Sequence, residues 1–400
     1  MIKNYKKVSS ILLFLILLVG LALALVPNTF CENETSDLQS EMEENISNQL
    51  SGLDFGEFDN IISNLDENGK NLFGTMSFWD KVTAIISGDF DTDYGSFFNA
   101  ILGTFFNELV HFIPILCIII AVTVLCSLVG NMRSEVGADS VGKLVNFVCY
   151  GVVIVIITAS VFSLLDSTTS CINSLKSQMD LLFPMLLTLL ASIGGVVSVG
   201  VFQPTLAILS NIVVQIFTWF LIPLFIFSFV FIVVGNLTDS IKLNKFTSLF
   251  NSIFKWTAGV CFSIFMGAIV IGGVVAGSFD SVSIRATKFA LKNYIPILGG
   301  YLSDGFNLVM ASSVLIKNAV GMSGVVLAVG TVLFPIIQVA VFSLGLKLTS
   351  AILEPITKSK VSDFLMSISK LLNMLVVILA GVGFMYLISV GLILCTANIM

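Results

Sequence analysis

The sequence predicts an all-α, polytopic membrane protein, and two observations lead to this fold class. Hydrophobic residues make up 56% of the 400 residues and charged residues only 11%, whereas soluble domains are about one quarter charged. In addition, six stretches after residue 100 lack Asp, Glu, Lys and Arg for at least 22 residues each. A helix of that length crosses the roughly 30 Å of hydrocarbon in a bilayer.

The N-terminus has the pattern of an export signal. Lys3, Lys6 and Lys7 precede an uncharged apolar run, and Ala22 and Ala24 have the spacing that signal peptidase accepts. We therefore expect a signal peptide over residues 1–24. An uncleaved first span is the alternative, because residues 8–31 are long enough to cross the membrane.

Residues 25–100 form a separate, acidic segment that we expect on the extracytoplasmic side. Residues 32–100 contain fifteen Asp or Glu and two Lys. Apolar residues such as Phe55, Phe58 and Ile62 recur partly at helical spacing, which predicts one or two short amphipathic helices. Because like charges repel, the natural partner of this segment is a basic or polar protein surface and not nucleic acid.

The membrane domain, residues 101–400, is predicted to contain about seven spans. Its uncharged runs cover residues 109–132, 144–165, 181–238, 256–279, 318–346 and 371–400, and the 58-residue run is long enough for two helices. Gly194-Gly195, Gly200 and Gln203-Pro204 interrupt that run, where we expect a tight hairpin or a re-entrant turn.

The number of Lys and Arg in each loop indicates how the spans are oriented in the membrane. With an exported N-terminus and seven spans, the inner loops carry six Lys or Arg and the outer loops eight. If residues 181–238 cross only once, the inner loops carry nine and the outer loops five. The positive-inside rule favours the second arrangement, in which the basic loops 239–255 and 347–370 are both cytoplasmic.

Those two basic loops resemble each other and suggest an internal repeat. Residues 245–255 align without gaps on residues 360–370, with Lys, Ser, Ile and Lys at matching positions. Each copy has apolar residues at i, i+3, i+4 and i+7, which predicts amphipathic helices at the membrane interface. The repeat-like units cover about residues 205–279 and 318–400; chance similarity between Lys-rich segments is the alternative.

A charged stretch, residues 278–317, separates the two units. It contains Arg285, Lys288, Asp304 and Lys317, followed by Asn318, among apolar residues. Pro296, Gly299 and Gly300 break it midway, which predicts two short interfacial or re-entrant helices. Such a stretch can line a pore or pack on the membrane surface.

The sequence contains no recognisable catalytic, cofactor-binding or metal-binding motif. His111 is the only histidine; with Glu108 it supplies two ligands, too few to fill the coordination sphere of a metal. The seven cysteines include no Cys-x-x-Cys pair. A disulfide between Cys31 and Cys171 requires that both lie outside the membrane and close together.

Three segments resemble the stage III sporulation protein AE family: LLTLLASIGGVVSVGVFQPT (residues 186–205), SIRATKFALKNYIPILGGYLSD (283–304) and SVLIKNAVG (313–321). The likeness covers roughly residues 100–400. It implies a multi-pass protein of the mother-cell membrane around the forespore of endospore-forming bacteria. It also implies partners: the other proteins of the stage III sporulation operon and a forespore membrane protein. No catalytic residues come with the family.

Two functions from different classes follow. The first is a non-enzymatic membrane subunit of the channel or secretion complex that feeds the forespore and can form a homo-oligomer. The second is a stand-alone secondary transporter or permease that uses the internal repeat. The scarcity of charge within the uncharged runs favours the subunit, because coupled transporters need ionisable groups near the midplane.

Overall fold

The computed structural model describes residues 45–50, 55–63, 77–88, 94–134, 139–237, 243–294, 299–355 and 360–396. These residues are mainly helical and contain no β-strand, which confirms the predicted fold class. The helices are α1 (Gly56–Ser63), α2 (Phe78–Ser87), α3 (Tyr94–Ser134), α4 (Asp139–Ser192), α5 (Val196–Ile216), α6 (Ile222–Leu237), α7 (Asn244–Tyr294), α8 (Gly299–Leu353) and α9 (Lys360–Cys395).

Six helices in the described part of the chain are long and apolar enough to cross a membrane. One of them joins α5 to α6 through a π-helical turn, Phe217–Leu221. The number is close to the expected seven. Residues 181–192 complete α4, so the 58-residue run adds one further span instead of two.

The long helices exceed the thickness of a bilayer. Helices α4 and α8 contain 54 and 55 residues, or about 80 Å at 1.5 Å per residue, against about 30 Å of hydrocarbon. The expectation of two short helices over residues 278–317 is therefore wrong. Helix α7 continues to Tyr294 and α8 begins at Gly299, so the described part of this stretch belongs to the end of one long helix and the start of another.

The core of the bundle is the antiparallel hairpin of α8 and α9, most of whose residues are buried. Two pairs of buried serines join these helices. Ser343 donates to the Ser369 carbonyl at 3.0 Å, and Ser350 donates to the Ser362 carbonyl at 2.8 Å. Because both pairs are seven residues apart along each helix, they lie on one face and fix the register.

Contacts between helices give their directions. Gly345 approaches Leu116 and Phe342 contacts Phe112, so α3 runs parallel to α8. Helix α4 runs antiparallel to α8, and α5 runs antiparallel to α7. Gly381 approaches Phe262 and Gly277 approaches Thr396, so α7 runs parallel to α9.

The bundle consequently has two distinct ends. We call the end with the turn at residues 193–195, the start of α8 and the last residues of α9 the hairpin end. We call the end where α7 and α9 begin the basic end. Both repeated basic segments, 245–255 and 360–370, lie at the basic end because they begin two parallel helices.

The two basic segments differ in their surroundings. Phe246 and Leu249 are exposed, as a face at the membrane interface requires. In contrast, Phe364, Leu365 and Ile368 are fully buried, and the Phe364 ring lies 5.3 Å from that of Tyr150 in α4. The expected interfacial position is therefore wrong for residues 360–370, because helices of this chain cover their apolar face.

The predicted short helices of the acidic segment are present as α1 and α2. Phe58 and Phe78 stack with ring centroids 4.3 Å apart, and Ser77 and Asp80 form a capping box at the start of α2. Helix α1 packs against α4 and α2 against α8. Ser313 also donates a 2.8 Å hydrogen bond to Gln49, which ties this layer to the hairpin end. The expected signal, residues 1–24, lies outside the described residues.

The cysteine arrangement differs from the expected one. Cys126 and Cys149 form a disulfide between α3 and α4. Cys171 is buried, and its thiol donates to the Thr331 carbonyl at 3.4 Å. Because Cys171 faces α8 inside the bundle, it is not available on an outer surface for pairing with Cys31, which lies outside the described residues.

Candidate functional site

A buried carboxylate from α7 caps the start of α5. Asp280 is 1% exposed, and its two carboxylate oxygens each accept a 2.9 Å hydrogen bond, from the backbone N–H groups of Val197 and Ser198. The N-cap residue of α5 is Gly195, which has no side chain for this task. Asp280 thus supplies from another helix the cap that a local Asp or Ser usually provides, and its charge suits the positive end of the helix dipole.

The turn before this cap requires glycine. Gly194 has φ +93°, and a Cβ there would lie 3.2 Å from the Ile284 side chain. A Cβ at Gly195 would lie 2.8 Å from the Leu190 side chain and 2.9 Å from the Leu190 carbonyl oxygen. The expected tight hairpin therefore lies at residues 193–195, and its two glycines allow α4 and α5 to meet closely.

A buried cation caps the end of α9 in the complementary way. The Nζ atom of Lys317, in α8, donates to the carbonyls of Thr396, Leu394 and Ile393 at 2.7, 3.1 and 3.4 Å. Lys317 is fully buried. The last carbonyls of a helix have no partner within it and carry partial negative charge, so an ammonium group stabilises them.

The two caps are neighbours at the hairpin end. A Cβ at Gly277, one turn before Asp280, would lie 3.8 Å from the Thr396 side chain, and the Thr396 carbonyl accepts from Lys317. Asn318 follows Lys317 and keeps a buried side-chain oxygen without a hydrogen bond to the described residues. We call Gly194, Gly195, Asp280, Lys317 and Thr396 the cap cluster.

The other residues singled out in the sequence lie outside the cap cluster. Gly200, Gln203 and Pro204 belong to α5, so the expected break at these residues is wrong; the chain reverses earlier, at the positive-φ Gly194. Arg285 and Asp304 are exposed and Lys288 is half-buried. Gly299 and Gly300 begin α8, but a Cβ at Gly300 would meet no heavy atom of the described residues within 4 Å. Pro296 lies outside the described residues.

Sequence reasoning missed Asp280 as a site residue, together with two buried links inside the bundle. Gln178 donates to the Thr331 hydroxyl at 2.8 Å, and Tyr386 donates to the Gly324 carbonyl at 3.2 Å. The sequence signal for Asp280 was weak: it is a single carboxylate directly after an uncharged run of 24 residues. These contacts join residues at least 62 positions apart in the chain, so no local pattern encodes them.

The cap cluster can hold helix ends together, but it presents no reactive arrangement. Each charged side chain is hydrogen-bonded to backbone groups. Elsewhere His111 is exposed while Glu108 is buried, so the two do not face the same surroundings. In the described residues, no three His, Cys, Asp or Glu side chains are grouped in a way that could hold a metal ion.

Comparison with known proteins accounts for most of the chain. A family model described as stage III sporulation protein AE matches residues 76–397. The chain belongs to this family. Stage III sporulation protein AE of Bacillus subtilis (strain 168) is 29% identical over 314 residues, which cover 78% of this chain and 79% of that protein. No solved structure matches the chain.

The family match contains the whole cap cluster. The match to the stage III sporulation protein AE family begins at residue 76, just before α2. It ends at residue 397, directly after Thr396, whose carbonyl Lys317 caps. The six span-length helices all lie within it. The chain is therefore a multi-pass membrane protein related to sporulation, and other sporulation proteins are its expected partners.

Proposed function

We propose that this protein is a non-enzymatic membrane subunit of the channel or secretion complex that feeds the forespore from the mother cell and is required for endospore formation. The observation that carries the proposal is the family match over residues 76–397. Its partners are the other products of the stage III sporulation operon and a protein of the forespore membrane. Its place is the mother-cell membrane around the forespore.

The geometry of the cap cluster supports a role in assembly. Its buried charges are used to fix the ends of α5 and α9, and the layer of α1 and α2 packs against α4 and α8. This arrangement gives the hairpin end a defined outer surface. A subunit that docks other proteins needs such a rigid surface more than it needs a reactive side chain.

The competing hypothesis is a stand-alone secondary transporter or permease. Transporters built from two repeats often relate them by inversion across the membrane, with the substrate site between the copies. Here α7 and α9, the helices that begin with the two similar segments, run parallel. This direction speaks against a transporter of the inverted-repeat type.

Complementation with interaction analysis tests the proposal. A tagged copy of this chain is expressed in an endospore-forming bacterium that lacks its own stage III sporulation protein AE. We expect heat-resistant spores to return, and the tag to recover other stage III operon proteins after cross-linking. His111→Ala should behave like the wild type, because that exposed side chain has no chemical task.

Two outcomes oppose the proposal. If spores return but no stage III operon protein is recovered, the chain does not act as a subunit. If the purified chain alone moves a solute into liposomes, the transporter hypothesis replaces it. Membrane abundance of the tagged protein is measured in every strain, so that misfolding is not mistaken for lost function.

A further inference from the structure

A groove with a volume of about 460 Å³ separates the second half of α4 from α5. The two helices meet at the turn of residues 193–195, and α4 meets α6 again where the Phe162 and Phe229 rings lie 6.4 Å apart. Between these contacts the helices separate. The volume falls within the roughly 300–1,000 Å³ that small-molecule sites occupy.

The groove combines apolar walls with a few polar side chains. Phe183, Leu187 and Leu206 are among the apolar lining residues, and the polar ones are Asp180, Thr188, Gln203, Ser210 and Asn211. Asp180 lies within a candidate span, Phe147–Ser192. Its carboxylate is exposed, and it directly precedes the uncharged run of residues 181–238.

The hydrogen bonds within the groove decide which ligand chemistry fits. The Thr188 hydroxyl donates to the Pro184 carbonyl at 2.9 Å, Ser210 donates to the Leu206 carbonyl, and the Asn211 amide donates to the Ala207 carbonyl at 2.8 Å. Both hydroxyls have thereby used their single proton and offer only lone pairs to a ligand. Asp180 accepts hydrogen bonds and carries negative charge.

One proline adds to this bias toward acceptors. Pro184, a lining residue of the groove, has no N–H to offer the carbonyl of Asp180 four residues earlier. The polar atoms of the groove therefore mainly accept hydrogen bonds. An anion would be repelled by Asp180, whereas an ammonium group has three N–H donors and a positive charge.

We propose that this groove binds a primary ammonium group carried on an apolar body, with the ammonium at Asp180 and Ser210 and the body along Phe183, Leu187 and Leu206. The source is either the headgroup of an amine-bearing lipid or a free amphiphilic amine; both offer the same chemistry to the same atoms. This inference does not depend on the proposed role in sporulation.

Monodansylcadaverine tests the proposal, because it carries a primary ammonium on an apolar fluorescent body. The full chain is placed in nanodiscs of phosphatidylcholine, which has no primary amine, and the probe is titrated. We expect saturable binding to the wild type and binding weakened about tenfold or more by Asp180→Asn, since a charge-assisted hydrogen bond is lost. The N-acetylated, neutral probe should show no saturable binding.

Asp166→Asn is the matched control, because Asp166 is an exposed carboxylate of the same helix outside the groove. It should bind the probe like the wild type. Ser210→Ala removes one acceptor without changing charge and should weaken binding less than Asp180→Asn does. Circular dichroism and gel filtration establish that each variant is folded.

Competition distinguishes the two sources. Displacement by phosphatidylethanolamine in the nanodisc identifies a lipid headgroup, and displacement only by free hexylamine identifies a soluble amine. The proposal is overturned if folded Asp180→Asn binds the probe as tightly as the wild type. It is equally overturned if the neutral probe binds as well as the charged one.

Discussion

The carboxylate of Asp280 and the backbone N–H of Ser198 lie 2.9 Å apart, although 82 residues separate them in the chain. The second carboxylate oxygen accepts a hydrogen bond of the same length from the backbone N–H of Val197. One side chain of α7 therefore positions the first turn of α5. Its removal leaves two helix-start donors without their acceptor, in a site with almost no access to water.

Replacement of Asp280 by alanine should destabilise the protein by about 1–3 kcal/mol, the usual cost of leaving a buried polar group unpaired. The stability of Asp280→Asn should lie between that of Asp280→Ala and that of the wild type, because its one amide oxygen replaces two carboxylate oxygens. Asp304→Ala removes an exposed carboxylate and should have no effect. Thermal unfolding in detergent measures all three; equal midpoints for Asp280→Ala and Asp304→Ala would refute the capping role.

The hairpin turn should tolerate substitution far less than the start of α8. Gly194→Ala places an L side chain at φ +93° and 3.2 Å from Ile284, which should cost about 1 kcal/mol or more. Gly300→Ala adds a Cβ where the described residues leave open space. Membrane abundance and heat-resistant spore counts compare the two variants. A defect at Gly300 with a normal Gly194 variant would contradict the geometry.

Lys317→Met keeps most of the apolar side chain but removes the ammonium group. That group donates hydrogen bonds to three carbonyls at the end of α9. We expect a loss of about 1.5–3 kcal/mol, the range for hydrogen bonds to charged groups. Protease accessibility of the C-terminus should rise before the whole bundle unfolds. Lys292→Met, at an exposed position of α7, is the control; if both variants resist protease like the wild type, the cap contributes nothing.

Lys81 of α2 should make stability depend on pH. Burial lowers the pKa of Lys81 to about 8 from its usual 10.5, so the unfolded chain binds this proton more tightly than the folded one. Between pH 8 and 10.5 the folded form is neutral while the unfolded form is charged, and stability rises with pH. Unfolding of the wild type and Lys81→Met across this range should show the rise in the wild type only.

The repeated basic segments should be accessible from the same side of the membrane. In a background without native cysteines, Ser252→Cys and Asp363→Cys report on the basic end, and Ser283→Cys reports on the second half of α7; all three positions are exposed. A membrane-impermeant maleimide added to one side should either label both Ser252→Cys and Asp363→Cys or neither. Ser283→Cys should show the reverse result. Opposite labelling of Ser252→Cys and Asp363→Cys would require an inverted arrangement of α7 and α9.

The elements that sequence predicted well are those encoded locally. An uncharged run of 22 or more residues is sufficient to specify a span, and two adjacent glycines in such a run mark a place where φ can be positive, as at Gly194. Asp280 is different. The helix end that it caps is determined by the packing of α7 on α5, which no local pattern contains.

The same limit explains the errors over residues 360–370 and at Gln203-Pro204. An amphipathic segment reveals that one face is apolar, but lipid and protein satisfy that face equally well; Phe364 is covered by α4. Likewise Pro204 interrupts hydrogen bonding without ending the helix, because α5 is supported by α7 along its length. Both outcomes depend on neighbours that are distant in the chain.

The serine pairs between α8 and α9 restrict how this bundle can move. Sliding one helix by a single turn would separate Ser343 from Ser369 and Ser350 from Ser362 together, and would also draw Lys317 away from Thr396. No one-turn slip restores any of these contacts. The paired part of the hairpin, which has the length of the 36-residue α9, therefore behaves as a stiff rod of about 54 Å, and a force applied at the basic end is transmitted to the hairpin end as a tilt and not as a change in length.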